Sequence, residues 1–177
     1  MRYIKSSPAQ GPFFPAISDF QLKAFSDSDW AGCVDTQISI TRFCIYIGDS
    51  LISWKSKKKQ TVFRSSAEAK YHAIASTCSE LMCLFSLLKD LKVPHPNAAL
   101  LFSNNQYALH IAANPVFHVR TKHIEIECHL IREKIQLGLT KTLHVPSQHQ
   151  LVDIFTMGLG FKDFNRLHSK LSVKDNR

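Results

Sequence analysis

The acids at the ends of apolar runs are the residues of this chain best placed to do chemistry. Asp27 and Asp29 lie at the end of the run LKAFSDSDW, the amides Asn104 and Asn105 occupy the matching place at the end of ALLFSN and just after it, and Asp153 follows a third run near the C-terminus. Where adjacent central strands bring their ends together, acids at those ends can share divalent cations. Two such cations roughly 3.5–4 Å apart would stabilise the attacking and leaving oxygens of a phosphodiester, which is metal-dependent nuclease chemistry. Spacing alone leaves a plainer assignment open: Asp27 and Asp29 as turn or capping acids, and Asp153 as a solvated helix residue.

The elements that would position these acids can be read from periodicity. Residues 22–29 read as a short strand ending in acids, and ISITRFCIYI (38–47) is rich in β-branched and aromatic types, as a second strand should be. Gly48-Asp49-Ser50 is a turn, and SLISWKSKK completes a hairpin over 38–58 with Trp54 as its anchor. The period then changes. Ser65 and Glu68 fit a capping box, and Ala67, Tyr71, Ile74, Cys78, Leu81, Phe85, Leu88 and Leu91 form one stripe of a helix over about 66–92, ended before Pro94 and Pro96. ALLFSN suits a strand buried on both faces. NQYALHIAAN reads as a short helix, 123–137 as another, TKTLHV as a fifth strand and 148–157 as a short helix. The tail FKDFNRLHSKLSV reads as a last helix. Three antiparallel strands extended by parallel strands through helical crossovers make an α/β mixed sheet of five strands flanked by helices.

Composition bounds the partners. Twenty-two Lys and Arg against fourteen Asp and Glu give +8, which favours a polyanion. No apolar stretch approaches the roughly 20 residues that span a bilayer, and the first twenty residues lack the pattern of a secretory signal. Cys33, Cys44, Cys78, Cys83 and Cys128 show no CxxC spacing and read as reduced thiols of a cytoplasmic or nuclear protein, not a secreted one. A zinc site from His123, Cys128 and His129 matches no standard finger spacing.

Four blocks carry a more specific signal: SDSDWAGC, SLISWKSKKKQTVFRSSAEAKYHAIA, FSNNQYALHIAANPVFHVRTKHIEIECHLIREKI and HQLVDIFTMGLG. In this order they resemble the ribonuclease H domain of copia-type retrotransposon Pol polyproteins, over about residues 2–173. The resemblance implies a ribonuclease H-like domain over 21–160. It implies an opening segment (1–20) like the end of the reverse transcriptase's connecting segment, and a C-terminal helix and tail over 161–177. The chain shows no counterpart of the polymerase domain and reads as a fragment of such a polyprotein.

The family resemblance implies four carboxylates holding two Mg2+ ions that cleave the RNA strand of an RNA–DNA hybrid. Position by position, the match is mixed. Asp27 stands where the first acid belongs. The family helix reads like SSAEAEY, but this chain has SSAEAKY, which puts Lys70 at the glutamate position. Glu68 lies two residues earlier, about 200° around the helix, and suits a capping role; an active enzyme would have to use it as the alternative ligand. The pattern CDNQAAL becomes SNNQYAL, with Asn104 for the aspartate, and LADIFTK becomes LVDIFTM, which keeps Asp153. His149 lies about where related enzymes place a mobile histidine, although a surface histidine is the plainer assignment.

Losing two anionic ligands and gaining an ammonium should weaken metal binding severely. The expectation is therefore a degenerate copy, an inactive or nearly inactive nuclease with residual nucleic-acid binding. Lys55, Lys57, Lys58, Lys59 and Arg64 are the candidate phosphate contacts, with Arg120, Lys122 and His123 as a second basic cluster. The lysines would equally suit a guarded sheet edge. Trp30 is assigned to packing. A host-adopted protein-binding module is the remaining alternative.

Overall fold

The computed structural model describes residues 10–32, 35–59, 62–113, 122–155 and 157–175, with the side chains of 122–128 and 175 left aside. The opening RYIKSS, Cys33, Arg120 and the side chains of Lys122, His123 and Cys128 lie outside the described set, and with them the zinc reading and the second basic cluster.

Strand β1 (Gln10–Pro12) is followed by β2 (Leu22–Asp29), β3 (Ile40–Ile47) and β4 (Ser50–Lys58). Helix α1 (Ser66–Asp90) leads to β5 (Ala99–Ser103), α2 (Gln106–Ala113), α3 (Lys122–Gln136) and β6 (Thr140–His144). Two 3-10 turns (Ser147–His149 and Leu151–Phe155), α4 (Phe161–His168), a further 3-10 turn (Ser169–Leu171) and β7 (Val173–Asp175) complete the chain.

The main sheet has the order β4-β3-β2-β5-β6. β2, β3 and β4 are antiparallel, whereas β5 runs parallel to β2 and β6 parallel to β5. This is the mixed five-stranded sheet that the sequence order requires. The hairpin between β3 and β4 turns on Gly48 at φ +57, where a Cβ would fall 2.0 Å from Ser18 Oγ and 2.3 Å from the Asp19 carbonyl. Glycine alone fits both the left-handed backbone and that approach.

Successive strand residues face opposite ways, so each strand feeds two apolar layers. Leu22, Ala24, Phe43 and Ile45 pack with Tyr71, Ile74, Cys78 and Leu81 of α1. Cys44, Tyr46 and Leu51 pack on the other side with Leu151, Val152, Leu167 and Leu171. Cys44 and Cys78 are buried thiols whose pKa burial raises, while Cys83 is exposed.

Three details depart from the expected elements. Helix α1 stops at Asp90 rather than near 92, because Lys92 is left-handed at φ +57 and Val93 N–H turns back to the Leu88 carbonyl. The single short helix expected over 148–157 is two 3-10 turns. They are broken at Gln150, which is extended (ψ 106) and fully buried, its Nε2 donating to the Ser26 carbonyl at 3.1 Å. That carbonyl lies past the last β2–β5 pair, Phe25–Phe102, so the glutamine side chain supplies the partner that the ladder no longer gives.

The tail is not one helix either. Ser172 turns left-handed at φ 54, and β7 then pairs antiparallel with β1, with Phe13 N–H on the Ser172 carbonyl at 2.7 Å. Gln10–Pro12 and Val173–Asp175 thus form one two-stranded ribbon.

Candidate functional site

Asp27 sits near the end of β2 and is 3% exposed. The antiparallel register puts Arg42 of β3 directly opposite it. Arg42 Nη2 donates to Asp27 Oδ2 at 2.7 Å and to Asp153 Oδ1 at 3.1 Å, so one guanidinium nitrogen bridges both acids. From α1, Lys70 Nζ lies 2.9 Å from Asp27 Oδ1 and donates to Asn104 Oδ1 at 2.7 Å. Asn104, just past β5, turns its Nδ2 toward Ser147 Oγ at 3.5 Å.

The ends of β2 and β5, the first half of α1 and the second 3-10 turn therefore bring Asp27, Lys70, Asn104 and Asp153 to one place. Helix phase selects Lys70. Ser65 is the N-cap at φ −151, and its Oγ accepts from Glu68 N–H at 3.2 Å. Glu68 Oε2 in turn accepts from Arg64 N–H at 2.8 Å, one residue before the usual capping-box partner. Glu68 is committed to the helix start, while Lys70 points into the cluster.

The electrostatics follow from burial. Two carboxylates, Asp27 and Asp153, face two cations, Lys70 and Arg42, and Asn104 adds no charge. The Asp153 carboxyl is pushed up to about 6, chiefly by burial; Arg42 pulls it back down, Asp27 repels it, Lys70 again lowers it and Asp29 adds repulsion. The short contact with Arg42 does not overcome the loss of water around this carboxylate. Asp29 itself folds over the following loop, where a Cβ on Gly32 would meet its carboxylate.

These donors do not fit a pair of divalent ions. Both oxygens of Asp27 already face protein cations, and Oδ1 of Asp153 is held by Arg42. Among the described residues no group of three or more His, Cys, Asp or Glu side chains could hold a metal.

Arg42 is the member of the cluster that the acid pattern did not reveal. The signal was present: an arginine within ITRFCIYI, otherwise a buried strand, must find anions inside the protein. His149 is exposed, with Nδ1 3.4 Å from Lys170 Nζ. Trp30, assigned to packing from the sequence, is instead 45% exposed and is held by its Nε1–H, which donates to the Phe63 carbonyl at 2.9 Å. On edge strand β4, alternation puts Lys55 and Lys57 on the side of Thr41, Phe43, Ser76 and Glu80, with Lys59 joining them past the strand end, and turns Lys58 the other way. Lys55, Lys57, Lys58 and Arg64 are exposed.

No protein-family model matches the chain. Curated relatives do. The retrovirus-related Pol polyprotein from transposon RE1 of Arabidopsis thaliana is 39% identical over 173 residues, and that from transposon RE2 of the same plant 38%. Each match takes in 98% of this chain and 12% of the relative, so the chain spans about an eighth of their length. The Pol polyprotein from transposon TNT 1-94 of Nicotiana tabacum is 31% identical over 156 residues.

Among solved structures, LC11-RNase H1 in complex with RNA/DNA hybrid superposes with a TM-score of 0.55 at 10% identity, covering 73% of this chain and 88% of that one. The N-terminal RNase H domain of rv2228c from Mycobacterium tuberculosis, solved as a fusion with maltose binding protein, also gives 0.55, at 7% identity, covering 85% and 98%. At those identities the structures establish the fold, and the Pol relatives establish descent. The chain belongs to the copia-type retrotransposon Pol polyproteins, as a segment with the ribonuclease H fold.

Proposed function

We propose that this segment is a decayed ribonuclease H domain that no longer cleaves RNA in RNA–DNA hybrids by two-metal chemistry but still binds nucleic acid. One observation carries the reading: the two acids left at the site, Asp27 and Asp153, are neutralised by protein cations, Lys70 at 2.9 Å and Arg42 at 2.7 and 3.1 Å. Mg2+ would have to displace both cations and would gain only two carboxylates and an amide oxygen in return. Binding would rest on Lys55, Lys57, Lys58, Lys59 and Arg64, whose contacts with phosphates release counterions. An active enzyme built on Glu68 is disfavoured by the helix start, where its side chain accepts from Arg64 N–H and its own N–H donates to Ser65 Oγ.

The test is a Mg2+ and Mn2+ titration with a labelled RNA–DNA hybrid, using Asp27→Asn as the control for contaminating nuclease. The expected result is no cleavage at any metal concentration, with hybrid binding that weakens steeply as salt rises. Metal-dependent cleavage that disappears with Asp27→Asn would overturn the loss of activity. Salt-insensitive binding, or none, would instead favour a protein partner.

A further inference from the structure

Arg42 differs from the other members of the cluster in what holds it. Its side chain is 2% exposed, and its backbone is fixed in β3 opposite Asp27. Nε and Nη1 have no hydrogen-bond acceptor among the described residues, where the group's polar contacts are those of Nη2, and both go to acids. A buried guanidinium with unpaired N–H groups is tolerated only where nearby anions offset its desolvation. Asp27 and Asp153 are those anions.

We propose that Arg42 is a tethered cation standing in for a divalent ion between Asp27 and Asp153, so that restoring the two missing acids does not by itself restore metal binding. The inference rests on the reading above, that this cluster corresponds to the ancestral metal site. Lys70 and Arg42 block the site differently. Lys70 enters from a helix, its side chain is 19% exposed, and Asn104 is its second partner, so one substitution on α1 removes it. Arg42 enters through the sheet and claims one oxygen of each remaining acid. Exchanging Lys70 and Asn104 leaves that contact untouched.

The experiment compares Mn2+ binding by calorimetry, and melting with and without Mn2+, in four proteins. These are the unaltered chain, Lys70→Glu/Asn104→Asp, and that double variant carrying either Arg42→Ala or Arg42→Gln. The glutamine version keeps most of the side-chain volume while dropping the charge. The unaltered chain and the double variant should give no saturable isotherm and no metal-dependent rise in melting temperature.

Either triple variant should bind Mn2+ at least about tenfold more tightly than the double, because the competing positive charge is gone. A triple variant that folds only when Mn2+ is present also supports the proposal. A double variant that binds Mn2+ as tightly as the triples would overturn it, as would folded triples that bind no better than the double. Neither result touches the proposed loss of activity, which fails on cleavage by the unaltered chain.

Discussion

At the residue scale, the site is a contest between burial and charge. Asp153 has a folded pKa of about 6, above its ordinary 3.8, because burial outweighs the nearby arginine. The folded state therefore takes up this proton first as pH falls. Through this group, stability is lowest above about pH 6 and recovers as pH drops toward 4, by something on the order of 1–3 kcal/mol. Denaturant unfolding of the metal-free chain against Asp153→Asn across pH 4–7 reads that share directly. The two stability curves should converge toward pH 4 and separate above pH 6, with the asparagine variant the more stable. Parallel curves would mean that Asp153 is ionised throughout the range. Asp27 is in the opposite position, since its two oxygens face two different cations. Removing it would leave Lys70 and Arg42 opposed without their common anion.

At the element scale, the first turn of α1 decides which side chain reaches the site. With Ser65 as N-cap, position 68 satisfies the helix start and position 70 faces Asp27 and Asn104. This separation follows from helix geometry, about 100° for each residue. Ser65→Ala should cost about 1 kcal/mol through the lost cap, seen as a lower urea midpoint with an unchanged slope. Glu68→Ala should act on stability in the same direction and, added to Lys70→Glu/Asn104→Asp/Arg42→Gln, leave the Mn2+ binding of that variant unaltered. If Glu68→Ala changed metal binding, the capping role would not be its whole role. The capping box was legible in the sequence because both partners are local. The break at Gln150 was not, since its reason lies in a strand carbonyl 124 residues away in sequence.

At the scale of the whole molecule, the sheet order brings the ends of β2 and β5 side by side and leaves β4 as a basic edge. Alternation divides that edge, with Lys55, Lys57 and Lys59 toward α1 and Lys58 away from it. If the α1 side follows a phosphate backbone, replacing those three lysines with alanine should lower the slope of log binding constant against log salt by about 2–3, close to one per lost phosphate contact. Lys58→Ala should change the slope by less. Fluorescence titrations of a labelled hybrid over a range of salt concentrations measure both. An unchanged slope in the triple variant would assign the lysines to guarding the sheet edge.

The sequence alone determined the order of the five strands of the main sheet and of the helices between them, the capping box and the positions of Asp27, Lys70, Asn104 and Asp153, because periodicity, turn residues and motif blocks are local signals. The resemblance carried by those blocks also implied that Lys70 and Asn104 stand where the family set has acids. Other features arise only when residues far apart in the chain meet. The pairing of β1 with β7 needs both termini at once, and the turn at Gln150 needs the end of β2. Above all, the bridge from Arg42 to Asp27 and Asp153 spans 15 and 111 residues. An arginine in an apolar strand announces that it needs anions, but only strand register and the docking of the last turns say which anions it receives.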